Sequence, residues 1–284
     1  MYAIAGVSGN TGSVVANTLL AAGKPVRVIV RDAAKGEVWK SKGAEVAVAS
    51  LDDRAALAAA LKGTAGAYLL IPPGGFGETN IPANRAKTTQ AILGAVADAR
   101  PAHVVMLSSI GAQHAAGTGP IKHLKPLEDG LRASGVPTTF LRAGFFMENW
   151  AGVAPGAIQS GTLYYALAQC IPQVATPDIG KTAARLLVEG APKQSRVVNL
   201  AGPADLDLQD TAAALSKIVG KPIAAVTVPP SAMVEALVGM GASREIAEMY
   251  GEMSEAMNAG KLVWEGEPER GSITLEQRLG QLLA

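Results

Sequence analysis

Three glycines set three residues apart constrain this chain more than any other feature. The apolar run Ala3-Ile4-Ala5 passes into Gly6, Gly9 and Gly12, and a helical pattern follows at once. A strand that must turn sharply into a helix needs a first glycine for the turn. A second lets backbone approach a ligand with no Cβ in the way, and a third lets the helix pack close on its strand. The free N–H groups and the positive dipole end of that helix then face outward and favour an anion. The spacing is G-x-x-G-x-x-G rather than G-x-G-x-x-G, and glycines alone are a weak signal. Context strengthens it. Val15 and Leu19 continue an apolar helical stripe, Gly23 stands at a helix stop, and Val26-Arg27-Val28-Ile29-Val30 reads as a second strand ending in Arg31-Asp32. That strand–turn–helix–strand unit suits a dinucleotide pyrophosphate cradled by Gly6, Ser8, Gly9, Asn10, Thr11 and Gly12.

Arg31 and Asp32 bear on which dinucleotide. A carboxylate at the end of the second strand binds the ribose hydroxyls of NAD. A guanidinium there clamps a 2′-phosphate in planar bidentate geometry. Arg31 comes first after the apolar run, so NADP(H) is the expected cofactor. Lys35 is a candidate second phosphate contact, and Asp32 leaves dual specificity open.

The chain has 284 residues, 49% of them hydrophobic, and a net charge of +1. That is enough apolar material to cover a sheet on both faces. No basic cluster supports nucleic-acid binding. Cys170 is the single cysteine, so no intrachain disulfide forms, and it reads best as a small buried apolar residue. No charged leader precedes the first apolar run and no apolar run approaches about 18 residues, so neither a signal peptide nor a membrane span is expected. A soluble, cytoplasmic protein follows. A homodimer is entertained, although these residues do not fix the oligomeric state.

Further strands are expected at Ala44 to Ala49, Ala67 to Ile71, His103 to Leu107 and Thr138 to Arg142, separated by helices carrying Leu57 and Leu61, Ile92 and Val96, and Leu127 and Leu131. Repeated βα units with apolar strands predict an α/β fold, a doubly wound parallel sheet of Rossmann type over residues 1–150. Beyond it the alternation becomes irregular. Residues 151–284 are expected to form a smaller, mixed, mostly helical substrate lobe interleaved with the first. Its methionines, among them Met249, Met253 and Met257, read as adaptable packing rather than a binding surface. Ligands in such sheets bind beyond the carboxyl ends of the strands. The site should therefore be built from the loops after Ala5, Val30, Ile71, Leu107 and Arg142.

With these loops in view, the chain resembles the short-chain dehydrogenase/reductase superfamily, and within it the atypical NmrA-like group of NADPH-dependent quinone oxidoreductases and NADP-sensing regulators. The resemblance is carried by Gly6 to Gly12, Val28 to Asp32, Leu141-Arg142-Ala143-Gly144-Phe145-Phe146-Met147-Glu148-Asn149, Thr176-Pro177-Asp178-Ile179-Gly180 and Asn199-Leu200-Ala201-Gly202-Pro203. It implies that Arg31 meets the 2′-phosphate, that Pro72 lies along the cofactor, and that Phe145 and Phe146 border the nicotinamide and substrate. The chain departs at Ser50, where similar proteins often carry an acid near the adenine. Leu51 can still pack on the adenine face.

Classical members of that superfamily use a serine after the fifth strand and a Tyr-x-x-x-Lys on the next helix. Here Lys125 follows Ser108-Ser109, but Ile121 fills the tyrosine position and has no proton to give. Lys125-x-x-Glu128 is a pattern of the NmrA-like group. Its two members can pair across one helical turn, either as a plain surface ion pair or with Lys125 holding the ribose or a substrate oxygen. Pro126 places Lys125 in the first helical turn. Ser109 can hydrogen-bond a bound carbonyl or only its own backbone. His123 is the other proton donor nearby, two positions from Lys125 and so pointing differently. No His, Cys or acid cluster has metal-ligand spacing.

A ketone reduced to an alkoxide needs an acid, whereas a quinone leaves an aromatic anion of much lower basicity. The expected function is therefore hydride transfer from NADPH to a quinone-like acceptor, with Lys125 and Ser109 as catalytic candidates and Phe146 and Trp150 lining the substrate. The alternative is a non-catalytic NADP(H) sensor.

Overall fold

The strands and helices alternate as their apolar periods predict. The computed structural model describes all of residues 1–284. The first half runs β1 (Tyr2–Ile4), α1 (Asn10–Ala21), β2 (Val26–Val30), α2 (Glu37–Lys40), β3 (Glu45–Val48), α3 (Arg54–Leu61), β4 (Gly66–Leu69), α4 (Ile81–Ala99), β5 (Val104–Ser109), α5 (Lys125–Ala133) and β6 (Thr138–Ala143). Then come β7 (Phe145–Phe146), α6 (Ala154–Ser160), β8 (Thr162–Tyr165), β9 (Ile171–Val174), α7 (Thr176–Glu189), β10 (Arg196–Ala201), β11 (Asp205–Leu206) and α8 (Leu208–Val219). The chain closes with β12 (Ala224–Thr227), α9 (Pro230–Gly239), α10 (Arg244–Asn258), β13 (Glu269–Arg270) and α11 (Leu275–Leu283).

The main sheet has eight strands in the order β13-β10-β6-β5-β4-β1-β2-β3, all paired in parallel. This is the expected doubly wound sheet. Strand order reverses between β1 and β4, and ligands bind at such a switch point. Alternate residues of each strand feed opposite faces. Ile4 and Val28 join a core with Val15 and Leu19 of α1 and Ile179 and Leu186 of α7. Ala3 and Ala5 face the other way, against Leu57 of α3, Ile92 of α4 and Leu127 of α5.

Beyond residue 151 the chain both returns to the main sheet and builds a separate core. Helix α7 packs along α1, and β10 and β13 extend the main sheet past β6. The remainder gathers around its own core, with Trp150, Leu163, Leu208, Leu215 and Met257 at its centre. Small sheets β11-β9-β7 and β12-β8 tie it together. No helix is long and apolar enough to cross a membrane.

Most strand limits shift by a residue or two from the sequence reading, and two shifts bear on the site. Strand β4 ends at Leu69, before Leu70 and Ile71, because the chain there turns toward the Pro72-Pro73 loop. Strand β5 continues through Ser108 and Ser109, paired with Arg142 and Ala143 of β6, so the serines lie within the sheet's end rather than after it.

Candidate active site

A cleft of about 1620 Å³ opens at the carboxyl ends of the parallel strands. It exceeds the roughly 300–1,000 Å³ of ordinary small-molecule sites. Its nucleotide end is built by the turn after β1. Gly6 has φ +68°, and a Cβ there would lie 2.6 Å from Leu70. At Gly12 a Cβ would stand 2.4 Å from the Ala5 carbonyl oxygen, so α1 packs on β1 only without a side chain. Gly9 is different. Nothing in the protein comes closer than 3.4 Å to a Cβ built there, and Gly9 lines the cleft. Packing leaves room for a side chain at Gly9, so its absence opens the cleft itself. No side chain caps α1, leaving its first N–H groups for an anion. Behind them the buried Tyr68 hydroxyl donates to Thr11 Oγ1 at 2.9 Å and fixes the start of the helix from below.

Ser8, Asn10, Thr11, Arg31, Leu51 and Pro72 all line this end. Arg31 is exposed and forms no pair with Asp32, whose carboxylate instead accepts from the Ala34 N–H at 2.9 Å and caps the following turn. Lys35 does not line the cleft. Asp52, paired with Lys87 at 3.1 Å, stands beside Leu51 where Ser50 lacks a carboxylate.

The far end has apolar walls. Phe145 and Phe146 come from β7, Met249, Met253 and Met257 from one stripe of α10, and Leu262 and Trp264 from the segment after it. The methionines thus pack and line the cleft together. Trp150 does not: it is fully buried, donates from Nε1 to Gln173 Oε1 at 2.8 Å, and supports Phe145 from behind at 5.5 Å between ring centroids. Its indole N–H needed a partner once buried, and Gln173 supplied one. Cys170 is also placed differently from expectation. It is exposed at the cleft rim, not buried, and slight desolvation with the negative charges of Asp207, Asp210 and Asp205 pushes its thiol up, away from reactivity.

The residues after β5 rearrange the expected catalytic set. Lys125 does lie in the first turn of α5, but its Nζ pairs with Asp129 at 2.7 Å rather than with Glu128, and it does not line the cleft. Glu128 points inward instead. It accepts from Ser108 Oγ at 2.6 Å and from Arg142 Nε and Nη2 at 3.0 and 2.7 Å. Arg142 in turn reaches Glu265 at 2.5 Å and so ties the 260–268 segment across the ends of β6 and β10. Ser109 lines the cleft, with its hydroxyl donated to the Ile110 carbonyl at 3.1 Å.

His123 and Tyr250 line the cleft from facing elements, the turn before α5 and α10. Neither side chain forms a hydrogen bond or ion pair with another protein group. Tyr250 and the apolar wall from α10 escaped sequence reasoning, because nothing near them in the chain marks a site. Only the four-residue spacing of the methionines carried a signal, and it reads equally well as core. Two other recurring segments prove to be supports. Glu148 caps α7 by accepting from the Thr176 N–H and hydroxyl and pairs with Arg278, and Asp178 accepts from the Ser272 and Ile273 N–H groups at 2.9 Å.

Known proteins resemble the chain over most of its length. The NmrA-like family matches residues 2–280. The chain is 27% identical to an NAD(P)H azoreductase from Xenophilus azovorans, over 89% of this chain and 86% of that protein. It is 29% identical to quinone oxidoreductase 2 of Escherichia coli, over 92% and 90%. The crystal structure of an NADPH-dependent quinone oxidoreductase from Escherichia coli, complexed with NADPH, covers the whole of both chains with a TM-score of 0.85 and 26% identity.

Proposed function

The chain belongs to the NmrA-like family, and from that premise we propose that it is an NADPH-dependent oxidoreductase acting on a quinone-like acceptor. The relatives that support an NAD(P)H-dependent reductase are the azoreductase and the quinone oxidoreductase, the latter known with NADPH bound. The cofactor is NADP(H), and the residues present fit it. The Gly6–Gly12 turn and the uncapped start of α1 hold the pyrophosphate, with the open face at Gly9 turned to it. Arg31, free of any ion pair, takes the 2′-phosphate. Leu51 packs on the adenine, Pro72 lies along the cofactor, and Phe145, propped by Trp150, borders the nicotinamide. Once bound, NADPH supplies a hydride.

The observation that carries the acceptor assignment is the composition of the far end. Phe146, Met253, Leu262 and Trp264 give flat, polarisable walls, while the tyrosine position beside Lys125 holds the buried Ile121. Such walls exclude water and hold a planar ring, and methionine adapts to rings of differing outline. No tyrosine–lysine pair stands on α5 to neutralise an alkoxide. A quinone, whose reduced anion is far less basic, asks less of the site. Ser109 sits where it can orient the acceptor carbonyl after releasing the Ile110 carbonyl. For Lys125 to hold the ribose, its pair with Asp129 must open.

The test is NADPH oxidation against a panel of quinones, aldehydes and azo dyes, with NADH in parallel. Quinone turnover with NADPH preferred is the expected result. Turnover confined to aldehydes would overturn the acceptor assignment. Saturable NADPH binding with no consumption across the panel would instead favour the non-catalytic sensor, which no feature of the cleft specifically favours.

A further inference from the structure

We infer that His123 delivers the proton that completes reduction of the acceptor. This rests on the quinone-reductase reading above and adds a catalytic residue to it. Other charged or hydroxyl donors at the far end are engaged, and the Cys170 thiol, held protonated, stands at the exposed rim. Ser109 donates to the Ile110 carbonyl, and Lys122 pairs with Glu252 at 2.6 Å. Arg85 is held by Glu78 at 2.8 Å and by the Pro73 carbonyl at 2.7 Å. His123 and Tyr250 remain, both lining the cleft and both unengaged.

The fold fixes where the imidazole stands. The turn Gly119–His123 lies directly on α10, because a Cβ at Gly119 would meet the Met249 carbonyl oxygen at 2.3 Å. That contact holds the turn against α10, and His123 lines the same cleft as Met249, Tyr250 and Met253. Helix α5 then starts at Lys125, whose Nζ pairs with Asp129 one turn on.

Chemistry chooses between the two free donors. Burial raises the Tyr250 hydroxyl above its ordinary value, which makes it hold its proton more tightly. Burial moves His123 the other way, reinforced by Lys122 on its own turn and Arg85 on α4 and opposed by Glu252 and Glu245 on α10. When protonated, its ring is therefore a stronger acid than a free imidazolium, suited to an acceptor anion of modest basicity. The step balances. The hydride brings the acceptor two electrons and one proton and leaves a hydroquinone monoanion, while NADPH becomes NADP⁺. An N–H bond of the His123 imidazolium breaks, an O–H bond forms on the acceptor oxygen, and the neutral ring regains its proton from solvent.

The experiment uses the full-length protein with menadione as acceptor. His123→Ala is expected to lower kcat about 100-fold, the low end of general-acid effects, with KM for NADPH unchanged and activity regained on adding imidazole. Wild-type kcat should fall as pH rises through the ring's ionisation, and His123→Gln should flatten that profile. Independently of turnover, NMR of histidine-labelled protein without cofactor should show the His123 ring resonance shift when menadione is added, with His103 and His114 unmoved. Unchanged kcat in His123→Ala, a silent resonance, or loss of rate in Tyr250→Phe alone would overturn the assignment. A wild-type enzyme that turned over no quinone would instead sink the reductase reading itself.

Discussion

Glu128 illustrates how a residue's type can be read from the chain while its task cannot. Its spacing from Lys125 invites a helical ion pair on the surface. In the fold it is buried, accepts from Ser108 and Arg142, and joins α5 to the ends of β5 and β6. The nearly buried Arg142 charge depends on it. Glu128→Ala is therefore expected to destabilise the protein by about 3 kcal/mol, the low end of the cost of breaking a buried ion pair, because Arg142 keeps only the more exposed Glu265 as a carboxylate partner, read as a lower midpoint in urea. A surface pair would change the midpoint hardly at all. Arg31, Pro72 and Phe146 were legible because local order settles them: each follows a strand that must end at the cleft, whereas Leu51 was named only through the family resemblance. Trp150 and Cys170 were not. Whether a tryptophan four residues past Phe146 faces ligand or core is decided by Gln173 and Tyr165, distant in the chain.

At the scale of elements, α1 and α7 are the pair on which the cofactor end rests. Gly180 lets them touch: a Cβ there would lie 2.5 Å from Val14 Cβ and 2.9 Å from the Thr11 carbonyl oxygen. Gly180→Val should push α1 off its strand, costing about 1–3 kcal/mol by overpacking and weakening NADPH binding through the displaced glycine turn. Unchanged stability and affinity would show that the helices have room to part. The Thr176 to Gly180 segment stood out in the sequence only through resemblance. Its physical reasons are now visible in the Glu148 cap, the Asp178 anchor for residues 272 and 273, and this close approach. Helix α10 shows the opposite case. Its methionines were legible as packing residues, but which neighbour they meet depends on the path of the chain far from them.

For the whole molecule, the parallel sheet and its cleft followed from the alternation of apolar strands and helices through Arg142. The return of α7, β10 and β13 to that sheet did not, since a strand's neighbours depend on the path of the intervening chain. His103, at the start of β5, bears on global stability. It is buried against Thr139, and burial, aided by Arg196, pushes its pKa down from 6.5 to about 4. The unfolded ring takes a proton near 6.5 and the folded ring does not, so the unfolded chain binds more protons between these values. Stability should therefore fall as pH drops from 6.5 toward 4, by up to about 1.4 kcal/mol per pH unit from this group. His103→Gln should flatten that part of the urea-midpoint profile, and an unaltered slope would assign the acid sensitivity elsewhere.

Titration with NADPH, followed by nicotinamide fluorescence in the wild type and in Arg31→Ala, is the most direct check on the cleft. Saturable binding is expected in the wild type. The variant should bind NADPH about 10- to 100-fold more weakly, as loss of a charge-assisted bidentate contact implies, with NADH affinity nearly unchanged. No saturation by either dinucleotide at millimolar concentrations, or equal loss of both in the variant, would contradict a pyrophosphate at the start of α1 with a phosphate on Arg31.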